Sequence, residues 1–253
     1  MLVAAFSSCP NDIFLFRSFL TKKSNTGLFS KLIIKDIESL NNLAKTGTVC
    51  VIKISAAFYP IIQDRFELLQ VGSTFGYNHG PKIIARQADA SLIYDKVGFP
   101  GQTTTAYRLF RKFYSCRENV FLPYSEIPKH VQSKAISAGV IIHESGLICE
   151  KMGLHELTDL GKLWYQRTKL PLPLGCIAIS RYLHDDMKKR IREELEASLR
   201  ESLSQRQESL LLAAQYSQEK DLQVIDKFID TYVSRDTLCI SNEGLQALIN
   251  LWS

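Results

Sequence analysis

The chain has 253 residues, of which 45% are apolar, 23% charged and 10% aromatic, a globular composition that excludes collagenous, disordered and membrane-spanning classes. Its 31 Lys and Arg against 26 Asp and Glu leave a net charge of +5, with no basic cluster that would serve nucleic acid. The length allows one large domain or two of about 100–130 residues.

Residues 2–6, Leu-Val-Ala-Ala-Phe, read as a buried first strand. No Lys or Arg precedes Arg17 and the apolar run stops at Ser7, so a signal peptide is not expected. No stretch approaches a membrane span, and a cytoplasmic protein is expected. A helix over 11–20 follows, entered by Ser8-Cys9-Pro10-Asn11-Asp12. Then come a strand at 32–35, a helix over 37–44 ended by Gly47, a strand at 49–54, and a helix from Ser55 to 62. Residues 66–71 and 82–85 read as extended, around a turn-rich stretch in which Gly72, Gly76 and Gly80 are expected to supply positive φ.

The second half repeats this order. A strand at 96–99 leads to a helix through 114, opened by Gly101-Gln102-Thr103-Thr104-Thr105. A strand at 119–122, a helix over 125–137 and a strand at 139–142 follow, ending on His143-Glu144-Ser145. Residues 157–164 come next, and 170–180 form a Pro-broken extended segment. Alternating short apolar runs and helices predict an α/β fold, here as two lobes of about 90 residues each. The first takes residues 1–95 plus 178–253 and the second 96–177, with crossings near 86–96 and 172–180. Residues 182–252 read as helices that cover the first lobe. Their apolar set Leu183, Met187, Ile191, Leu195, Leu199 and Leu203 steps by four, which drifts about 40° per step and requires a bend, a break or a wrap.

Six cysteines without any C-x-x-C argue for reduced thiols, not a disulfide or zinc framework. Nucleotide-binding glycine motifs, H-E-x-x-H and G-x-S-x-G are all absent. Ligands of α/β sheets sit beyond the carboxyl ends of the strands. Here those are residues 7–11, 36–42, 53–55, 101–105 and 143–145. The threonine triplet either binds an anion at a helix start or supplies an N-cap. Ser55 and Asn41 cap or bind. His143 follows an apolar strand and is either a general base or a strand-end structural histidine. His79 lies in a turn and His130, His155 and His184 lie on helices or loops, none at metal-ligand spacing.

At these same segments the chain resembles a known family. Ser8-Cys9-Pro10-Asn11-Asp12-Ile13-Phe14 resembles the start of the 1,4-dihydroxy-6-naphthoate synthases of the futalosine route to menaquinone. The likeness continues through Asp36-Ile37-Glu38-Ser39-Leu40-Asn41, Lys53-Ile54-Ser55-Ala56-Ala57, Pro100-Gly101 with Thr104-Thr105-Ala106, Gly139 to Ser145, and Asp159-Leu160-Gly161. It ends with a glycine-like Lys169 before Leu170-Pro171-Leu172-Pro173-Leu174-Gly175. The resemblance implies a two-lobed fold similar to type II periplasmic binding proteins, with the site in the interlobe cleft. It implies a lyase that cleaves cyclic dehypoxanthinyl futalosine to the naphthoate and dihydroxyacetone, without metal or redox cofactor. His143 matches the proton acceptor. Lys53, Ile54, Ser55, Thr104, Thr105, Ala106, Asn41 and Leu174 match substrate-binding positions. Gly146-Leu147-Ile148-Cys149 departs from the family's usual Arg-Phe-Thr-Tyr, and Lys82 replaces an apolar residue. The alternatives are a chorismate dehydratase of the same pathway and a non-catalytic cytosolic small-molecule binding protein. A small-molecule substrate is expected as the partner, with no nucleic acid or membrane, for a monomer or weak homodimer.

Overall fold

The structure is a computed structural model and describes residues 2–21, 27–142 and 150–253. His143 and residues 144–149 therefore lie outside the described residues.

The chain begins with β1 (Val3–Phe6), whose last three residues are buried. Apolar side chains pointing both ways suit an inner strand of a parallel sheet. Two short helices follow, α1 (Pro10–Leu15) and α2 (Arg17–Leu20), where one helix was expected. The break falls at Phe16, whose ring stacks on Phe6 at 4.0 Å between centroids. Strand β2 (Lys31–Ile34) leads to α3 (Ile37–Thr46). Helix α3 is capped by Asp36, which accepts from the Ser39 N–H at 2.9 Å, and it stops at left-handed Gly47. Strand β3 (Val51–Ser55), a short helix α4 (Tyr59–Ile62), β4 (Phe66–Leu68) and β5 (Thr74–Gly76) complete the first pass.

The second pass comprises β6 (Lys82–Ala85), β7 (Lys96–Phe99), α5 (Thr105–Phe113), β8 (Glu118–Phe121), α6 (Ile127–Gln132), β9 (Ala138–Ile141), β10 (His155–Asp159) and α7 (Leu160–Thr168). Helix α7 ends at Lys169, which is left-handed with φ 59°, the role glycine usually fills. The return strand is β11 (Leu172–Ser180). Helices α8 (Asp185–Ser204), α9 (Arg206–Tyr216), α10 (Leu222–Tyr232), α11 (Arg235–Leu238) and α12 (Asn242–Trp252) close the chain.

Two sheets result. The first has the order β2-β1-β3-β11-β4, with β5 also paired to β11; the second has the order β10-β6-β9-β7-β8. In each, three parallel strands run in from one edge and antiparallel strands complete the other side. Strand β6 pairs with β9 and β10 in the second sheet, so the chain crosses between Gly76 and Lys82, earlier than expected. Likewise all of β11 belongs to the first sheet, so the return falls between Thr168 and Leu172. Pro173 does not break this strand, because a register shift between Pro173 and Gly175 absorbs it.

One buried cluster spans both lobes, joining Ile52, Ile54 and Phe58 to Ile83, Phe99, Phe110 and Trp164. A second lies outside the first sheet, where Ile191, Leu195 and Leu199 of α8 meet Ile13, Phe14 and Phe16. The drifting stripe is resolved by substitution and a break. Ser198 and Ser202 take over the buried face, Leu203 turns out to solvent, and the helix ends at Gln205. Buried Arg17 ties the layer by donating to Glu201, Gln205 and Glu208. Among the described residues no helix is long and apolar enough to cross a membrane, and Cys50, Cys116, Cys176 and Cys239 are free thiols.

Candidate active site

A cavity of about 310 Å³ lies between the two sheets. Its floor is the start of α1 and the end of β3. Asp12 and Lys53 pair there at 2.8 Å, with side chains 1% and 5% exposed. Asp12 Oδ2 accepts from the Ser7 hydroxyl at 2.5 Å, and Oδ1 accepts from Asn11 Nδ2 at 3.0 Å. Lys53 Nζ also donates to the Gly72 carbonyl at 3.1 Å and to Thr74 Oγ1 at 3.0 Å. Three donors thus meet three acceptors, as a buried ammonium requires. Beneath the floor, burial pushes the Cys176 thiol up to about 11, so it stays protonated.

The opposite wall is the entry to α5. Each threonine hydroxyl of the triplet has a separate partner. Thr103 Oγ1 donates to Glu38 Oε2 at 2.7 Å, across the lobe junction. Thr104 caps α5 by accepting from the Tyr107 N–H at 3.2 Å. Thr105 Oγ1 donates to the Leu174 carbonyl at 2.9 Å and accepts from the Ala57 N–H at 3.1 Å. The Thr105 and Ala106 N–H groups have no protein partner among the described residues, and both residues line the cavity. They are the free donors of a helix start, where an anion is favoured. Gly101, at φ 152°, admits this close approach, because a Cβ there would stand 2.4 Å from the Glu38 carboxylate.

The third side was not foreseen. Phe228, Thr231 and Tyr232 of α10 line the cavity. Phe228 and Tyr232 pack at 4.6 Å between ring centroids and group with Cys9 and Leu174. His79, from the crossover loop, meets Tyr232 edge-on at 5.0 Å. Burial lowers the His79 pKa, opposed by Asp159 and the Tyr77 and Thr231 carbonyls, so the ring is neutral near pH 7. Burial likewise raises the pKa of Asp159, which caps α7 through the Gly161 and Lys162 N–H groups, and that of Tyr232. Of the three crossover glycines only Gly72 has positive φ, and Asn78 adopts it as well, at 61°. Gly76 and Gly80 are there for closeness instead: a Cβ on Gly80 would meet Leu172 Cδ2 at 2.6 Å and Gly161 Cα at 3.0 Å.

Of the expected binding residues, Lys53, Ser55, Thr104, Thr105, Ala106 and Leu174 line the cavity. Asn41 and Ile54 do not. Asn41 is fully buried behind Ser55, donating to its hydroxyl at 3.0 Å and accepting from its N–H at 2.9 Å. Ile54 alternates away from Lys53 and Ser55 into the core. His143 lies outside the described residues. Among the described residues no three His, Cys, Asp or Glu side chains gather as a metal site requires. The aromatic pair on α10 left no separate signal, since Phe and Tyr four residues apart read as helix core.

One cavity clasped by two α/β lobes, with both crossings at its edge, defines a two-lobed protein of the periplasmic-binding-protein-like class. Solved structures share this fold. A protein from Archaeoglobus fulgidus superimposes with a TM-score of 0.94 at 28% identity, covering 99% of this chain and 95% of that one. The ligand-binding component of an ABC-type import system from Staphylococcus aureus gives 0.70 at 13% identity, covering 99% and 90%. Within this class the chain belongs to the menaquinone biosynthesis family, whose model matches residues 2–253. Two curated relatives are named 1,4-dihydroxy-6-naphthoate synthase, each 33% identical. The Streptomyces coelicolor protein is matched over 99% of this chain and 91% of its own length, and the Thermus thermophilus protein over 98% and 91%.

Proposed function

We propose that the chain is a 1,4-dihydroxy-6-naphthoate synthase, a carbon–carbon lyase that cleaves cyclic dehypoxanthinyl futalosine to the naphthoate and dihydroxyacetone. The observation that carries this reading is the likeness to two curated synthases along nearly the whole chain. The cavity supports it chemically. Phe228 and Tyr232 offer an aromatic side to a flat ring. The free N–H groups of Thr105 and Ala106 suit an aromatic carboxylate. Ser55, held by Asn41, suits a hydroxyl of the sugar-derived part. His143, as a neutral imidazole, takes a proton to start ring opening, and the carbon–carbon bond then breaks in a retro-aldol step. The reaction runs in the cytoplasm without redox cofactor.

Incubation with the cyclic substrate should yield 1,4-dihydroxy-6-naphthoate by chromatography. Turnover in His143→Asn should fall by about 10²–10⁴. Wild-type rates in that variant would remove His143 from the base role. Binding of the substrate without product would identify a non-catalytic binding protein, and dehydration of chorismate would identify the sister enzyme.

A further inference from the structure

Two polar atoms of the cavity wall take no part in the chemistry assigned above, and they come from opposite lobes. Asp159 ends β10 in the second lobe, is 3% exposed and lines the cavity. Its Oδ1 caps α7, accepting from the Gly161 and Lys162 N–H groups at 2.8 and 3.2 Å. Its Oδ2 has no protein partner among the described residues. Tyr232 ends α10, which packs on α1 and β5 of the first lobe. It is 9% exposed and lines the same cavity, and its hydroxyl likewise has no protein partner among the described residues. Neither atom is sealed from solvent, as His79 Nε2 is, and the cavity is the space that both residues border. The two groups are near enough for the Asp159 charge to raise the Tyr232 pKa, yet no hydrogen bond joins them.

Both groups are held in place. The start of α7 is pressed on the crossover loop, where a Cβ on Gly161 would stand 2.1 Å from the His79 carbonyl carbon. The Tyr232 ring packs against Phe228 at 4.6 Å and His79 at 5.0 Å between centroids. Burial keeps Tyr232 a hydroxyl, so it donates. The ionised carboxylate only accepts. A fixed donor and a fixed acceptor on buried side chains suit a ligand group that satisfies both, since leaving either unpaired is costly. An anionic group would be repelled by Asp159. A carbonyl would satisfy Tyr232 alone, and an ammonium Asp159 alone. A hydroxyl donates to one and accepts from the other. We propose that Asp159 and Tyr232 are specificity-determining residues that hold one hydroxyl of the substrate's sugar-derived part between the lobes, which donates to Asp159 Oδ2 and accepts from the Tyr232 hydroxyl. This rests on the naphthoate synthase reading and adds to it a polar contact that spans the cleft.

The test is steady-state naphthoate formation by wild type, Asp159→Asn, Tyr232→Phe and the double variant, with substrate-free thermal melts of each. Asn keeps Oδ1, and with it the cap on α7, but puts a donor where the open acceptor was. It should raise KM roughly tenfold to a hundredfold, with the smaller share of the loss in kcat. Phe removes only the hydroxyl and should raise KM about twofold to tenfold. The double variant should raise KM by less than the product of the two single effects, because both residues act on one ligand hydroxyl. The substrate-free melting temperature should hold in the Asn variant, and hold or rise in the Phe variant, which loses an unpaired polar atom. Wild-type KM in either single variant overturns the proposal, and so do effects on KM that multiply in the double variant. A melting temperature and kcat that fall together at constant KM mark structural residues and overturn it too. A wild-type protein that makes no naphthoate overturns the functional reading and this contact with it, an outcome distinct from failure of the contact alone.

Discussion

Lys53 illustrates how burial decides what a charged side chain can do. It sits in the middle of a wholly buried strand, and each N–H direction of its ammonium meets an acceptor in the protein. Its first task is therefore to hold Asp12, and through Asp12 the Ser7 hydroxyl and the Asn11 amide at the cavity floor. Removing one partner of a buried pair strands the other charge, which costs far more than the pair contributes. Lys53→Met keeps the length of the stem and should lower stability by about 3–5 kcal/mol in urea unfolding. Adding Asp12→Asn to it should cost less than the sum of the two single changes, because the stranded charge is gone. Additive losses would mean that the two side chains do not act as a pair.

Helix α5 raises the same question for an element. Its start was legible locally: Thr104 stands where an N-cap is needed, and it caps. The partners of its neighbours were not legible, because Glu38, Ala57 and Leu174 are 65, 48 and 69 residues away from the threonines they meet. Thr105→Val keeps the shape but leaves the Ala57 N–H and the Leu174 carbonyl unpaired. It should lower stability by about 1–3 kcal/mol in thermal or urea unfolding, with any loss of substrate binding following from a displaced helix start. An unchanged unfolding midpoint would return the hydroxyl to a substrate-binding role. The same division runs through the fold. Runs such as Val51–Ser55 and Ala138–Ile141 declare themselves as buried strands by composition. The sheet that β6 joins does not, because Lys-Ile-Ile-Ala is equally apolar in either lobe and only its pairing with β9 and β10 decides. Similarly, Phe228 and Tyr232 become a cavity wall only once α10 is placed against the floor formed by α1.

On the scale of the molecule, the lobes are joined at two crossings and clasped across the cleft. The clasp is polar. Glu38 of α3 accepts from the Thr103 N–H at 3.1 Å and from its hydroxyl, while Asn41 donates to Thr103 Oγ1 at 3.0 Å. A second strap runs from Lys112 of α5 to the Asn250 carbonyl of α12. Proteins of this architecture close around ligands by hinge motion. The polar groups of this clasp reach water in an opened form, so parting the clasp itself costs only the net value of its hydrogen bonds. The Glu38 carboxylate accepts two of them, and charge-assisted bonds are the stronger kind. Glu38→Ala should therefore shift the balance toward the open form by about 1–2 kcal/mol, or about fivefold to thirtyfold in the population ratio. Small-angle scattering should report a larger radius of gyration, and KM should rise because closure must then draw on binding energy. Glu38→Gln keeps one acceptor oxygen and should fall between the two. Since Glu38 does not line the cavity, a KM that rises with no change in scattering would place its effect on the entry to α5 alone. Unchanged scattering and unchanged KM together would show that the lobes are held by the shared apolar core and the two crossings, with the polar clasp contributing nothing to closure.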